Sequence, residues 1–173
     1  MAGVQAVLHN QSKAAYNITE EELMAGVDAT VVCTQLLAFV RAHVAEANRR
    51  LDRYNAARFT AELADRFVDA LVAHVKRLTI TQSGGLLLMQ DMTRYRDLVL
   101  VAGASTKRAE LLTEVAKIFI VDASQEQAIL RETSLHTLDP AEYRALVAAR
   151  ADSRAKASLL TKLAGKVKSA AQS

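Results

Sequence analysis

Tryptophan is missing from this chain, proline and cysteine occur once each, and aromatic residues make up only 5% of the 173 positions. Each scarcity excludes something. Few aromatic side chains beside abundant alanine and leucine, which lose little rotamer freedom in a helix, suit helices better than sheets, whose faces are built on β-branched and aromatic packing. A lone cysteine, Cys33, cannot close an intrachain disulfide. It fits a reducing compartment or, the reading preferred here, a small apolar residue on a helix with no basic neighbour to lower its pKa. No apolar run approaches the roughly 18 residues a membrane-spanning helix needs, and no basic stretch precedes an apolar one at the N-terminus. A soluble, cytoplasmic chain is expected. The sequons Asn10-Gln11-Ser12 and Asn17-Ile18-Thr19 are then inert.

What is present is helical periodicity. A hydrophobic share of 51% over 173 residues suffices for one core, so 1–173 is expected to form a single helical-bundle domain. Within it, 1–28 holds an N-terminal helix and an acidic linker. Phe59, Leu63, Phe67, Leu71, Val75 and Leu78 recur every three or four positions and predict a helix over about 57–80. Val32, Leu36, Val40, Val44, Ala47 and Leu51 do the same over about 29–53, and Leu111, Val115, Ile118 and Phe119 over about 105–121.

Local signals mark the joints. Thr19 with Glu22, and Ser124 with Gln127, have the spacing of a capping box. Asp139-Pro140 reads as a cap followed by proline at the first helical position, with Leu138 able to staple onto Tyr143. Gly84, Gly85 and Gly103 fall between periodic runs and are expected to end helices in the left-handed conformation, with Ser83-Gly84-Gly85 as a hinge. The fold class is therefore all-α, an antiparallel helical bundle or stacked helical rod of seven or eight helices.

Charge is uneven. The chain carries +3, but residues 143–173 hold +6 of it, leaving −3 on 1–142. Arg154, Lys156, Lys162, Lys166 and Lys168, beside Leu159, Leu160, Leu163 and Val167, could bring an amphipathic helix to an anionic membrane or an acidic partner. The plainer reading is a solvated basic face that complements a helix dipole. Nucleic acid is not expected, because no aromatics interleave with the basic residues.

Catalytic patterns are absent. His9, His43, His74 and His136 lie too far apart for metal-ligand spacing and read as surface or capping histidines. Glu20, Glu21 and Glu22 suit the first turn of a helix. Ser83-Gly84-Gly85 lacks the lysine and hydroxyl of a phosphate loop. No catalytic residue, metal site or cofactor is assigned.

Three segments in order carry a family resemblance. Gly84-Gly85-Leu86, Leu88, Asp91 and Tyr95 match the pattern GGL-x-L-x-x-D-x-x-x-Y. Leu112 leads to Phe119-Ile120-Val121, and Leu138-Asp139 precedes Arg150-Ala151-Asp152-Ser153-Arg154. Together they resemble the C-terminal region of the Sec-ten subunit of the exocyst, also called exocyst component five, over about residues 30–163. Ser153 stands where that family usually has tyrosine. The resemblance implies a non-catalytic, C-terminal piece of a longer helical subunit that tethers secretory vesicles to the plasma membrane in exocytosis. It implies other exocyst subunits as partners, with small GTPases and peripheral contact with anionic membrane besides. It places the protein in the cytoplasm, recruited to vesicle and plasma-membrane contact sites. Gly84, Gly85, Asp91 and Tyr95 become a structural joint, the last two bonding across it from one helix face. A stand-alone helical adaptor docking through its basic C-terminal helices is the other reading.

Overall fold

In the computed structural model, residues 1–26, 28–122, 125, 133, 135 and 138–153 are described, and they contain seven named helices and no strand. The helices are α1 (Ala2–His9), α2 (Glu20–Met24), α3 (Val31–Arg50), α4 (Arg53–Val75), α5 (Gln82–Val101), α6 (Thr106–Ile120) and α7 (Pro140–Val147). The all-α class expected from composition is the observed one. Ser124, Gln127 and His136 lie outside the described residues.

Each long helix begins where a side chain can replace a missing backbone partner. Thr30, Asp52, Thr81 and Ser105 are extended residues whose side chains accept from the first-turn N–H groups of α3, α4, α5 and α6. Thr19 and Glu22 form the expected capping box on α2, with Glu22 N–H donating to Thr19 Oγ1 at 3.2 Å and Thr19 N–H to Glu22 Oε2 at 2.8 Å. Asp139 accepts from Ala141 N–H at 2.6 Å, and Pro140 opens α7 as expected. At the other end of α5, Gly103 adopts φ +102, the left-handed turn that stops the helix.

A continuous apolar core joins α1 and α3 through α7. Helix α4 packs against α1, α3, α5 and α6, and α5 packs against α2, α3, α4 and α6, its closest partner being α6 across a four-residue turn. Phe67, fully buried, meets Tyr95 edge to face at 5.4 Å between centroids, which ties α4 to α5. The N-terminal region takes part: Val4, Leu8 and Tyr16 are buried in the same core.

Several expectations need correction. The periodic helix over 57–80 stops at Val75, and Leu78 and Ile80 are buried from a non-helical connection. Phe59 and Leu51 leave their stripes and stand 45% and 42% exposed. In α4 the buried face runs through Ala56, Thr60, Leu63 and Ala64, which puts Phe59 at its border, while Leu51 is the residue that breaks α3 with an extended conformation. Gly84 and Gly85 are not a hinge and not left-handed: they lie in the first turn of α5, which Thr81 caps.

Candidate functional site: a buried polar joint

Three stretches far apart in sequence meet where α4 gives way to α5. Thr79 N–H donates to Lys13 carbonyl at 2.8 Å, and Thr81 N–H to Tyr16 carbonyl at 3.1 Å. On the other side, Ile80 N–H donates to Ala149 carbonyl at 3.0 Å and Ala151 N–H to Ile80 carbonyl at 2.8 Å. Ile80 thus forms isolated parallel bridges to both Tyr16 and Arg150. This is the chain's answer to a break in a helical core, because buried backbone groups that leave a helix must find partners elsewhere.

The glycine pair makes the junction possible. A Cβ on Gly84 would lie 1.6 Å from the Tyr16 carbonyl oxygen, and one on Gly85 would lie 2.9 Å from the carbonyl carbon and oxygen of Phe119. Both obstacles are backbone and cannot swing aside. The glycines therefore let the start of α5 press against the N-terminal loop on one side and the end of α6 on the other.

Asp91 is the polar centre. It is fully buried on α5, and its carboxylate accepts from Tyr16 Oη–H at 2.7 Å, Thr30 Oγ1–H at 2.7 Å and Thr30 N–H at 3.2 Å. The Thr30 hydroxyl also accepts from Cys33 N–H at 3.0 Å, so one side chain caps α3 while reaching Asp91. Burial, then the charge of Asp91, raises the Tyr16 phenol well above its ordinary pKa. The Cys33 thiol is pushed up to about 12 for the same two reasons in the same order, so it is an inert, buried thiol. Tyr95 is buried one turn from Asp91, and burial raises its pKa too. Among the described residues, the geometry gives Asp91 to the loop and to α3, and gives Tyr95 to Phe67, instead of pairing both across a glycine joint.

Arg150 closes the other side. It is 6% exposed, and its Nη1 donates to the Ile118 carbonyl at 2.6 Å and the Val121 carbonyl at 2.9 Å, carbonyls that the end of α6 leaves without helical partners. Asp152 grips the same guanidinium through Nε at 3.0 Å and Nη2 at 2.8 Å. Gln82 Nε2 donates to the Ile120 carbonyl at 2.9 Å, so α5 helps to cap α6. In the sequence Arg150 and Asp152 stand out only within the Arg-Ala-Asp-Ser-Arg motif, and no local pattern marks Tyr16 or Thr30.

His74 is not a surface histidine. It is 7% exposed at the end of α4, with Nε2–H donating to Gln11 Oε1 at 2.7 Å in the neutral tautomer. Burial, then the charge of Arg77, lowers its pKa to about 4. No group of His, Cys, Asp and Glu that could hold a metal occurs among the described residues, and no described helix is long and apolar enough to cross a membrane. Arg154, Lys156, Lys162, Lys166 and Lys168 lie outside the described residues.

Among the described residues the buried polar groups tie helices and connections to one another, the arrangement of a helical-bundle structural module. The chain matches the family model described as exocyst complex component Sec10-like, alpha-helical bundle, over residues 1–159. It belongs to that family. It is 30% identical over 124 residues to exocyst complex component SEC10a of Arabidopsis thaliana, and 29% identical over the same length to exocyst complex component SEC10b of that plant. Exocyst complex component 5 of Oryza sativa subsp. japonica is also 29% identical over 124 residues. Each alignment covers 70% of this chain and 15% of the relative, so the chain spans a small part of the length of the curated relatives it matches.

Proposed function

We propose that this chain is a non-catalytic part of an exocyst subunit, which helps to tether secretory vesicles to the plasma membrane through protein contacts. The match of the family model across residues 1–159 carries the reading. The fold is consistent with it, because the polar groups that could suggest chemistry are consumed in holding helices together. Under this reading Gly84, Gly85, Asp91 and Tyr95 are architectural, and the partners bind helix surfaces. The protein acts in the cytoplasm at vesicle and plasma-membrane contact sites. Co-expression with the other exocyst subunits of the same organism tests it. We expect at least one to co-purify with the chain through a salt wash, and failure with all of them would sink the reading.

Two finer partners belong to the same proposal: small GTPases, and anionic membrane reached through Lys162, Lys166 and Lys168. Liposome flotation checks the second. Reversing those three charges should abolish flotation with anionic vesicles, and unchanged flotation would remove lipid from the account.

A further inference from the structure

At the end of the bundle where α3 turns into α4 and α5 ends, a groove lies open. It runs between α3 and α5 from Arg41 to the turn at Leu51, about 15 Å at 1.5 Å per residue. Two adjoining hollows of about 430 and 390 Å³ share Val44 and Val101 in their walls. The hollow nearer Arg41 is mainly apolar, with Val44, Ala45, Leu98 and Val101 on it, while the one nearer Leu51 adds Asn48 and Thr60 to its apolar walls; Val101 is 85% exposed at the last position of α5. Leu51, Tyr54 and Leu100 add exposed apolar surface at the same end. Such a concentration on a folded unit marks a contact surface more often than chance exposure does.

The rim says what kind of partner fits. Arg41 and Arg53 line the two ends of the groove, both exposed and neither in an ion pair among the described residues. Asp97, the acid on this rim, is already engaged by Arg96 at 2.8 Å. A second copy of the chain meeting this face about a two-fold axis would set arginine rims together, which costs energy. A flat lipid surface cannot fill a concave slot. A helix with small apolar residues on one face and acids along its flanks satisfies both floor and rim, and three turns of it match the groove's length.

We infer that this groove docks an acidic amphipathic helix of a partner protein. The inference rests on the proposed role as a protein-contact module, and adds where the contact falls and what chemistry it needs. Its test uses a fluorescein-labelled 18-residue helical peptide carrying leucine and alanine on one face and glutamate on the flanks. The control is a twin with lysine at every glutamate. Fluorescence anisotropy against the whole 173-residue chain should show the acidic probe binding at least tenfold more tightly than the basic twin. Val101→Asp and Arg41→Glu, both at exposed positions, should each weaken the acidic probe at least tenfold while leaving the helical circular dichroism and melting temperature in place. Equal binding of the twins, indifference to both substitutions, or no binding of the acidic probe overturns the inference. So does self-association of the chain, seen by sedimentation, that either substitution abolishes. If the probe fails while exocyst subunits still co-purify with Val101→Asp, the groove assignment falls and the tethering role stands.

Discussion

Replacing Asp91 should unfasten the joint. Its carboxylate receives three hydrogen bonds, one from Tyr16 and two from Thr30, in a fully buried setting. A hydrogen bond to a charged group contributes about 1.5–3 kcal/mol net, and a buried donor left unmade costs about 1–3 kcal/mol. Against this, Asp91→Ala relieves the desolvation of a buried charge, which offsets part of the loss, and improves helix propensity by up to about 0.7 kcal/mol. Stranding the Tyr16 hydroxyl and the Thr30 N–H, at about 1–3 kcal/mol each, outweighs both, and a loss of about 2–5 kcal/mol is expected. Asp91→Asn keeps an acceptor oxygen but turns an NH₂ toward one donor, so it should cost less, about 1–3 kcal/mol. Urea unfolding followed by circular dichroism measures both values. In a domain of this size each kcal/mol moves the melting temperature about 2–4 °C, so the alanine variant should melt roughly 10 °C lower. Tyr16→Phe in a double-mutant cycle with Asp91→Ala should reveal a coupling of about 1 kcal/mol or more. A cost below about 1 kcal/mol for Asp91→Ala, or no coupling, would refute the assignment of Asp91 as the fastening point.

Gly84→Ala reverses a usual sign. In an open helix the change stabilises by about 1 kcal/mol, but here the new methyl would meet the Tyr16 carbonyl oxygen at 1.6 Å, so a net loss of about 1–3 kcal/mol is expected from overpacking; a gain in urea midpoint would contradict the close approach. His74, with its pKa lowered to about 4 from 6.5, stays neutral when folded while the unfolded chain takes up a proton between those values. Stability contributed by the neutral imidazole is full above about pH 6.5 and falls as pH drops toward about 4. His74→Gln should flatten that part of the curve in urea titrations at stepped pH, and an unchanged slope would assign it to other groups. Arg150→Ala removes two bonds to the end of α6 and strands its carbonyls, for about 2–4 kcal/mol. Arg150→Lys should rescue only part, since an ammonium cannot cap two carbonyls and hold Asp152 bidentately at once; full rescue in the same assay would mean that charge alone matters there.

The helices were legible because their causes are local. Thr19 with Glu22 and Asp139 with Pro140 satisfy backbone groups within three residues, and the observed helices start there. Apolar spacing in α3, α4 and α6 likewise found the side that is buried, through Leu36, Val40, Phe67, Leu71, Val115 and Phe119, but not its full width, and it wrongly placed Phe59 and Leu51 there, where the stripe meets its border or its end. The connection at 76–81 escaped notice because its apolar residues, Leu78 and Ile80, are buried outside any helix, in a stretch where Thr79, Ile80 and Thr81 pair with distant backbone.

The joint resisted the same reading because its partners are remote. Tyr16 lies 75 positions from Asp91, and Thr30 lies 61 away, so nothing in a window around Asp91 distinguishes an anchor from a solvated helical acid. Gly84 and Gly85 show the ambiguity most sharply. A glycine between periodic runs can mean a left-handed turn or a surface that another backbone must approach, and both leave the same letters in the sequence. Gly103 is the first case, with φ +102, and Gly84 is the second, pressed by the Tyr16 carbonyl. The separating signal was Thr81, three residues before Gly84: a threonine that can cap the third helical N–H puts the glycines inside the helix, and only a close neighbour then explains why they lack side chains.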